Sequence, residues 1–192
     1  GIGFRRRALS RQETITSIVA AAGHAAVIAA GPWLFTIFAL AAITLTTDQI
    51  AGLSFLSNFR AIIIYAFATS LVLAAPITIV ATRLVGDALW LKKPSEVPQL
   101  LLGAYAMVLP PVAAGVALEI WWFRLAFDTA LALMAGSLLV ALIWVALAFC
   151  GAVRDYRGVT FSFLVGLIIS MLATVSLAVL NFSSAGLAWG FI

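Results

Sequence analysis

Between Glu13 and Asp48 the chain carries no Asp, Glu, Lys or Arg. The same holds between Arg60 and Arg83, between Glu96 and Glu119, between Asp128 and Arg154, and after Arg157. Each interval is at least about 20 residues long, enough for a helix to cross a hydrocarbon core of roughly 30 Å. The composition agrees: 65% of the 192 residues are hydrophobic and 9% are charged, against about 45–50% and about 25% in an ordinary soluble domain. A water-soluble core of this size cannot hide that much apolar surface. The apolar runs are continuous rather than alternating, so strands are excluded in favour of helices.

The expected fold is therefore all-α, a polytopic membrane helix bundle. Helices are predicted near 17–45, 60–82, 99–121, 129–150 and 159–181, with a sixth that starts at 185 and is cut off at 192. Residues 1–13 read as a basic cytoplasmic interfacial segment and residues 14–192 as the transmembrane bundle. Phe4 and Leu9 dip into lipid there, with Arg5–Arg7 on anionic headgroups. The "SRQE" run from Ser10 to Glu13 has the capping-box pattern that starts a helix. The apolar run behind it is longer than a signal-peptide core of 7–15 residues, and Arg5 stands where a myristoylation motif wants Ser or Thr.

Orientation follows from Lys and Arg. With alternating sides, one face receives Arg5, Arg6, Arg7, Arg11, Arg83, Lys92, Lys93, Arg154 and Arg157, and the other only Arg60 and Arg124. The basic face should be cytoplasmic, and the N-terminus with it. Trp121, Trp122 and Phe123 fall where a belt of aromatic residues marks the outer interface, and Trp90 where one marks the inner. The pI near 9.8 then reports topology rather than nucleic-acid binding.

Two sequence features bear on function. Pro32, Pro76, Pro110 and Pro111 all fall inside predicted spans. Each removes a backbone donor and crowds the preceding turn, and broken helices are common where transporters bind and bend. Gly31-Pro32, Pro76 and Pro110-Pro111 are therefore hinge candidates. His24 lies seven residues before Gly31, near the same face of the first helix. It bonds a neighbouring helix or carries a proton. Arg60 and Arg83, near opposite ends of the second helix, are the basic groups closest to the spans; they anchor the helix by snorkelling or face a transport cavity.

Small residues recur every fourth position at Gly158, Ser162, Gly166, Ser170, Thr174 and Ala178, and at Ala66, Ser70, Ala74, Thr78 and Thr82. Such faces let helices approach closely in lipid. Enzyme chemistry is not indicated. One His and one Cys cannot form a tetrahedral metal site, no Gly-rich segment carries the Lys of a phosphate loop, and no cofactor is implied. Cys150 reads as a packing residue. The spans are expected to hold no buried acid, which leaves aromatic rings and hydroxyls to line any cavity.

Several segments resemble the PelG family, inner-membrane transporters of the Pel exopolysaccharide system. "GIGF" at the start and "AAGPWLFTI" (Ala29–Ile37) are similar to the family's N-terminal region. "LVLAAPITIVATRLVGDALWLKK" (Leu71–Lys93) resembles its second helix and following loop, "CGAVRDYRGVTFSFLVG" (Cys150–Gly166) its junction of helices four and five, and "SSAGLAWGFI" (Ser183–Ile192) the start of helix six. Arg5 departs from the pattern, which has an acidic residue there. The individual motifs are soft, and the specificity lies in their order along almost the whole chain.

The resemblance implies membership of the multidrug/oligosaccharidyl-lipid/polysaccharide flippase superfamily, with two pseudo-symmetric bundles that work by alternating access. Five and a half helices are most of one bundle. It also implies a bacterial inner-membrane location, a polysaccharide substrate, and as partners a cytoplasmic glycosyltransferase and other membrane subunits of the synthesis complex. The alternatives are a scaffold that docks such subunits and moves nothing, or a flippase of another lipid-linked oligosaccharide.

Overall fold

The computed structural model describes residues 37, 40–41, 43–45, 53–153, 156–180 and 184–191. The interfacial segment 1–13, His24, Gly31 and Pro32 lie outside the described residues. Residues 37, 40–41 and 43–45 are helical, and among the described residues five α-helices follow them: α1 (Leu53–Trp90), α2 (Val97–Phe123), α3 (Phe127–Val153), α4 (Tyr156–Val179) and α5 (Ser184–Phe191). A 3-10 turn over Pro94–Glu96 leads into α2. Among the described residues there is no strand, and four stretches are long and apolar enough to cross a membrane: Ser57–Trp90, Pro94–Phe123, Phe127–Val153 and Phe161–Val179. The chain is an all-α polytopic membrane bundle.

The second helix, predicted near 60–82, is much longer than the charge-free interval. At 38 residues and 1.5 Å per residue, α1 spans about 57 Å, well beyond the roughly 30 Å of a hydrocarbon core. Arg60, Arg83 and Asp87 bound the apolar run without ending the helix. Charged side chains reach water from inside a helix end, so charge marks the membrane boundary and backbone chemistry marks the helix boundary.

That chemistry is visible at Lys92, whose φ of 56° is left-handed. Its N–H bonds to the Leu89 carbonyl at 3.2 Å, and the Lys93 N–H to the Ala88 carbonyl at 2.9 Å. This crossed pair satisfies carbonyls that a helix end otherwise leaves open. At the far end of α2, Arg124 is likewise left-handed, with φ 48° and ψ 48°, and its N–H bonds to the Ile120 carbonyl. Both turns thus reverse the chain within a few residues, and neighbouring helices run antiparallel.

α3 is the most buried of the four long helices and α4 the least. α1, α2 and α3 form one three-helix unit whose seam is small and β-branched: Ala74, Val85, Val108, Val112, Val116, Ala141 and Val145 are buried. In lipid, van der Waals contact rather than expulsion of water holds such a seam. α4 packs chiefly on α5, which touches α1 through Phe191 on Phe59, edge to face at 6.1 Å. Trp121, Trp122, Phe123 and Phe127 are exposed at one end of the bundle and Trp90 at the other, two aromatic rims of the kind that sit at headgroup level.

Candidate functional site

Most hydroxyls in the helices donate to their own backbone. Thr78, Thr82, Ser137, Thr174 and Ser176 each bond a carbonyl three or four residues back, which satisfies them locally in lipid. Thr69 and Ser70 of α1 are different because they reach other helices. Thr69 Oγ1 donates to Glu119 Oε1 of α2. Ser70 Oγ donates to the Phe67 carbonyl at 3.1 Å and accepts the indole N–H of Trp144 from α3 at 3.3 Å. Phe67 also meets the Trp144 ring edge to face at 6.3 Å. Two adjacent residues of α1 therefore tie it to both of its neighbours.

Glu119 corrects the expectation that the spans hold no buried acid. α2 continues through it to Phe123, so it lies one turn inside the span. It is half-buried, and its Oε2 is shielded from solvent without a hydrogen-bond partner. The charge ends the apolar interval in the sequence, while in the fold it faces α1. Gly115, one turn earlier on the same face, allows the approach: a Cβ there would stand 2.5 Å from Leu73 Cδ1 and 3.6 Å from Thr69 Cγ2.

These contacts fix the register of α1 on α2. Tyr65 meets Phe123, with ring centroids 5.5 Å apart, Thr69 meets Glu119, and Leu73 meets Gly115. Each turn up α1 is matched by one turn back along α2. Continued by less than another turn, the register puts Pro76 at the level of Val112, next to Pro111 and Pro110, with Pro76 and Pro110 themselves exposed. Three of the hinge candidates thus share one level in two adjoining helices. Both helices stay continuous through them. Proline at these positions deprives the carbonyls of Val72, Ala106 and Met107 of their usual helical donors.

The two arginine candidates are not brought together. Both are on α1, 23 residues and so about 35 Å apart. Arg83 is exposed, whereas Arg60 is half-buried with its Nε shielded and unpartnered.

A cavity of about 300 Å³ lies between α1, α3 and α4, closed at one side by Phe191. Its lining is aliphatic and aromatic except for Ser162 and Ser170. The small-residue stripe of α4 therefore divides. Thr174 and Ala178 are buried, and α5 presses on this half: a Cβ on Gly190 would meet the Thr174 backbone at 3.1 Å. Ser162, Gly166 and Ser170 face the cavity instead. An apolar pocket at this depth suits hydrocarbon better than a sugar, whose hydroxyls it leaves unpaired.

The sequence places Pro76, Pro110, Pro111 and the small faces on these helices, but does not reveal Thr69, Ser70, Trp144 and Glu119 as a connected set. The signal for Glu119 was present: an ionisable residue inside a predicted span.

No curated protein and no solved structure matches the chain. A family model described as "PelG: Putative exopolysaccharide Exporter (EPS-E)" matches residues 1–192. The match covers the four long apolar helices and the polar contacts between them. With its full length accounted for, the chain belongs to the PelG family.

Proposed function

We propose that the chain moves an exopolysaccharide across the cytoplasmic membrane as part of a transporter that alternates between inward-open and outward-open arrangements. The observation that carries this reading is the match to an exopolysaccharide exporter family over residues 1–192. The level shared by Pro76, Pro110 and Pro111 supports the alternating part. Two adjoining helices weakened at one depth bend together at lower cost than either does against a rigid neighbour. The same logic extends to Gly31-Pro32 in the helix expected near 17–45, where His24 is proposed to face the bundle. Arg60 and Arg83 lie near the two membrane faces of α1, where they meet substrate entering or leaving. In this reading the chain has no catalytic step of its own.

The N-terminus and the loops at Lys92 and Arg154 are cytoplasmic, and the loop over 89–98 docks a cytoplasmic glycosyltransferase or one of its membrane subunits. Trp90 and Leu91 are exposed there beside the Lys93–Glu96 ion pair at 3.1 Å, an apolar anchor with a polar rim. Photo-crosslinkers at Lys93 and Glu96 test the docking; an active complex without adducts contradicts it.

The scaffold reading draws on one observation: the cavity between α1, α3 and α4 is apolar and offers no sugar path by itself. Depletion of the chain in polymer-producing cells separates the two. A transporter leaves synthesis running and polymer trapped inside. A scaffold stops synthesis.

A further inference from the structure

We propose that the cavity between α1, α3 and α4 holds an acyl chain of an anionic phospholipid whose phosphate lies on Arg60. The cavity opens sideways: Leu139 and Ile143 of α3 and Ser162 and Gly166 of α4 line it, yet all four are exposed. α4 packs chiefly on α5 and little on α3, which leaves the gap between them. These helices span the membrane, so the opening meets lipid. Arg60 supplies the charge. It shares a face of α1 with Ile63 and Phe67 of the lining, at positions i, i+3 and i+7, one turn beyond the cavity. It is half-buried, and its Nε is shielded without a partner. Among the described residues no carboxylate pairs with it. Its depth also fits. Tyr65, just over one turn further along α1, meets Phe123, so Arg60 is level with the exposed rim of Trp121, Trp122 and Phe127, where headgroups lie.

The chemistry of the lining selects the occupant. Apolar cavities of about 150 Å³ already stay dry and take up hydrocarbon, and each water needs about two to four polar partners. This cavity, at about 300 Å³, offers two serine hydroxyls. A helix with its side chains is about 10–12 Å across, too wide to enter. An acyl chain is thin, flexible and supplied by the surrounding bilayer. With its chain in the cavity, a lipid brings its phosphate toward Arg60. A guanidinium meets a phosphate through two parallel N–H bonds, and partial burial strengthens the attraction. A zwitterionic headgroup carries its own cation beside the phosphate and an anionic one does not, so the site prefers anionic lipid. The site does not rest on the transport reading.

Photo-crosslinking of the full-length protein in lipid nanodiscs tests this. The probes are phosphatidylglycerol and phosphatidylcholine, each with a photoreactive group in one acyl chain, and adducts are mapped by peptide mass spectrometry. Phosphatidylglycerol should label the lining segments of α3 and α4, near Leu139–Ile143 and Ser162–Leu167, several-fold more than phosphatidylcholine does. Arg60→Gln should bring the two lipids to equal labelling, and Arg60→Lys should keep most of the preference. Gly166→Leu fills the cavity from a position where an added Cβ meets nothing within 4 Å. It should cut adducts at the lining several-fold while labelling elsewhere on α4 and the denaturation midpoint persist. The proposal is overturned if Gly166→Leu leaves lining adducts unchanged, which marks bulk bilayer contact only, or if the preference is absent or survives Arg60→Gln. Crosslinks at these positions to a second protein chain instead of lipid would overturn it as well.

Discussion

Gly190 and Gly166 show how differently one residue type acts in this bundle. At Gly190 an added Cβ meets the Thr174 backbone Cα and N at 3.1 Å and Leu177 Cδ1 at 2.8 Å. Backbone cannot yield as a side-chain tip does, so Gly190→Ala should cost about 1–3 kcal/mol by overpacking. At Gly166 an added Cβ meets nothing within 4 Å. Gly166→Ala should be neutral or gain up to about 1 kcal/mol from helix propensity. Denaturation in one detergent checks both: a lower midpoint for Gly190→Ala and an equal or higher one for Gly166→Ala are expected. The sequence could not make this distinction. Both have a small residue four positions earlier, Ser162 before Gly166 and Gly186 before Gly190, yet of the two only Gly190 makes the close contact. Spacing reports which face a residue is on, and only the partner helix decides whether that face is covered. Glu119 is the same lesson from the polar side. Its partner Thr69 is 50 residues away in the chain, and no local pattern points from one to the other.

At the scale of whole helices the sequence was far more legible, because lipid demands long uncharged runs and each run leaves a gap in the charge pattern. The centres of α1 to α4 are readable in this way. Their ends are not, since Lys92 and Arg124 close helices through left-handed backbone that neither residue type advertises. The alignment of Pro76 with Pro110 and Pro111 was also illegible, because it depends on the register of two helices. That alignment carries a prediction. Pro76→Ala restores a donor for the Val72 carbonyl and straightens α1. Export should fall several-fold while expression and insertion persist. The double change Pro110→Ala/Pro111→Ala should fall to a similar level, and combining all three should add little, because the two helices bend as a unit. Independent, multiplying losses, measured as secreted polymer per unit of membrane protein, would contradict a shared hinge level.

For the whole molecule, topology comes first, since direction of transport has no meaning without it. Nine of eleven Lys and Arg residues fall on one side of the expected alternating layout, and such a bias predicts that side to be cytoplasmic. Single cysteines introduced by Ser95→Cys and Ser184→Cys, with Cys150→Ala, should react with impermeant reagents from opposite sides of the membrane. Reaction of both from the outer side would overturn the layout. The central claim is that the chain carries polymer across and does more than organise its synthesis. Inverted membrane vesicles containing the full synthesis complex, supplied with labelled sugar nucleotide, test it most directly. Labelled polymer should be protected inside the vesicles when the chain is present, and the same amount of polymer should be left outside and enzyme-accessible when it is absent. Equal protection in both preparations, or loss of synthesis itself on removing the chain, would contradict it.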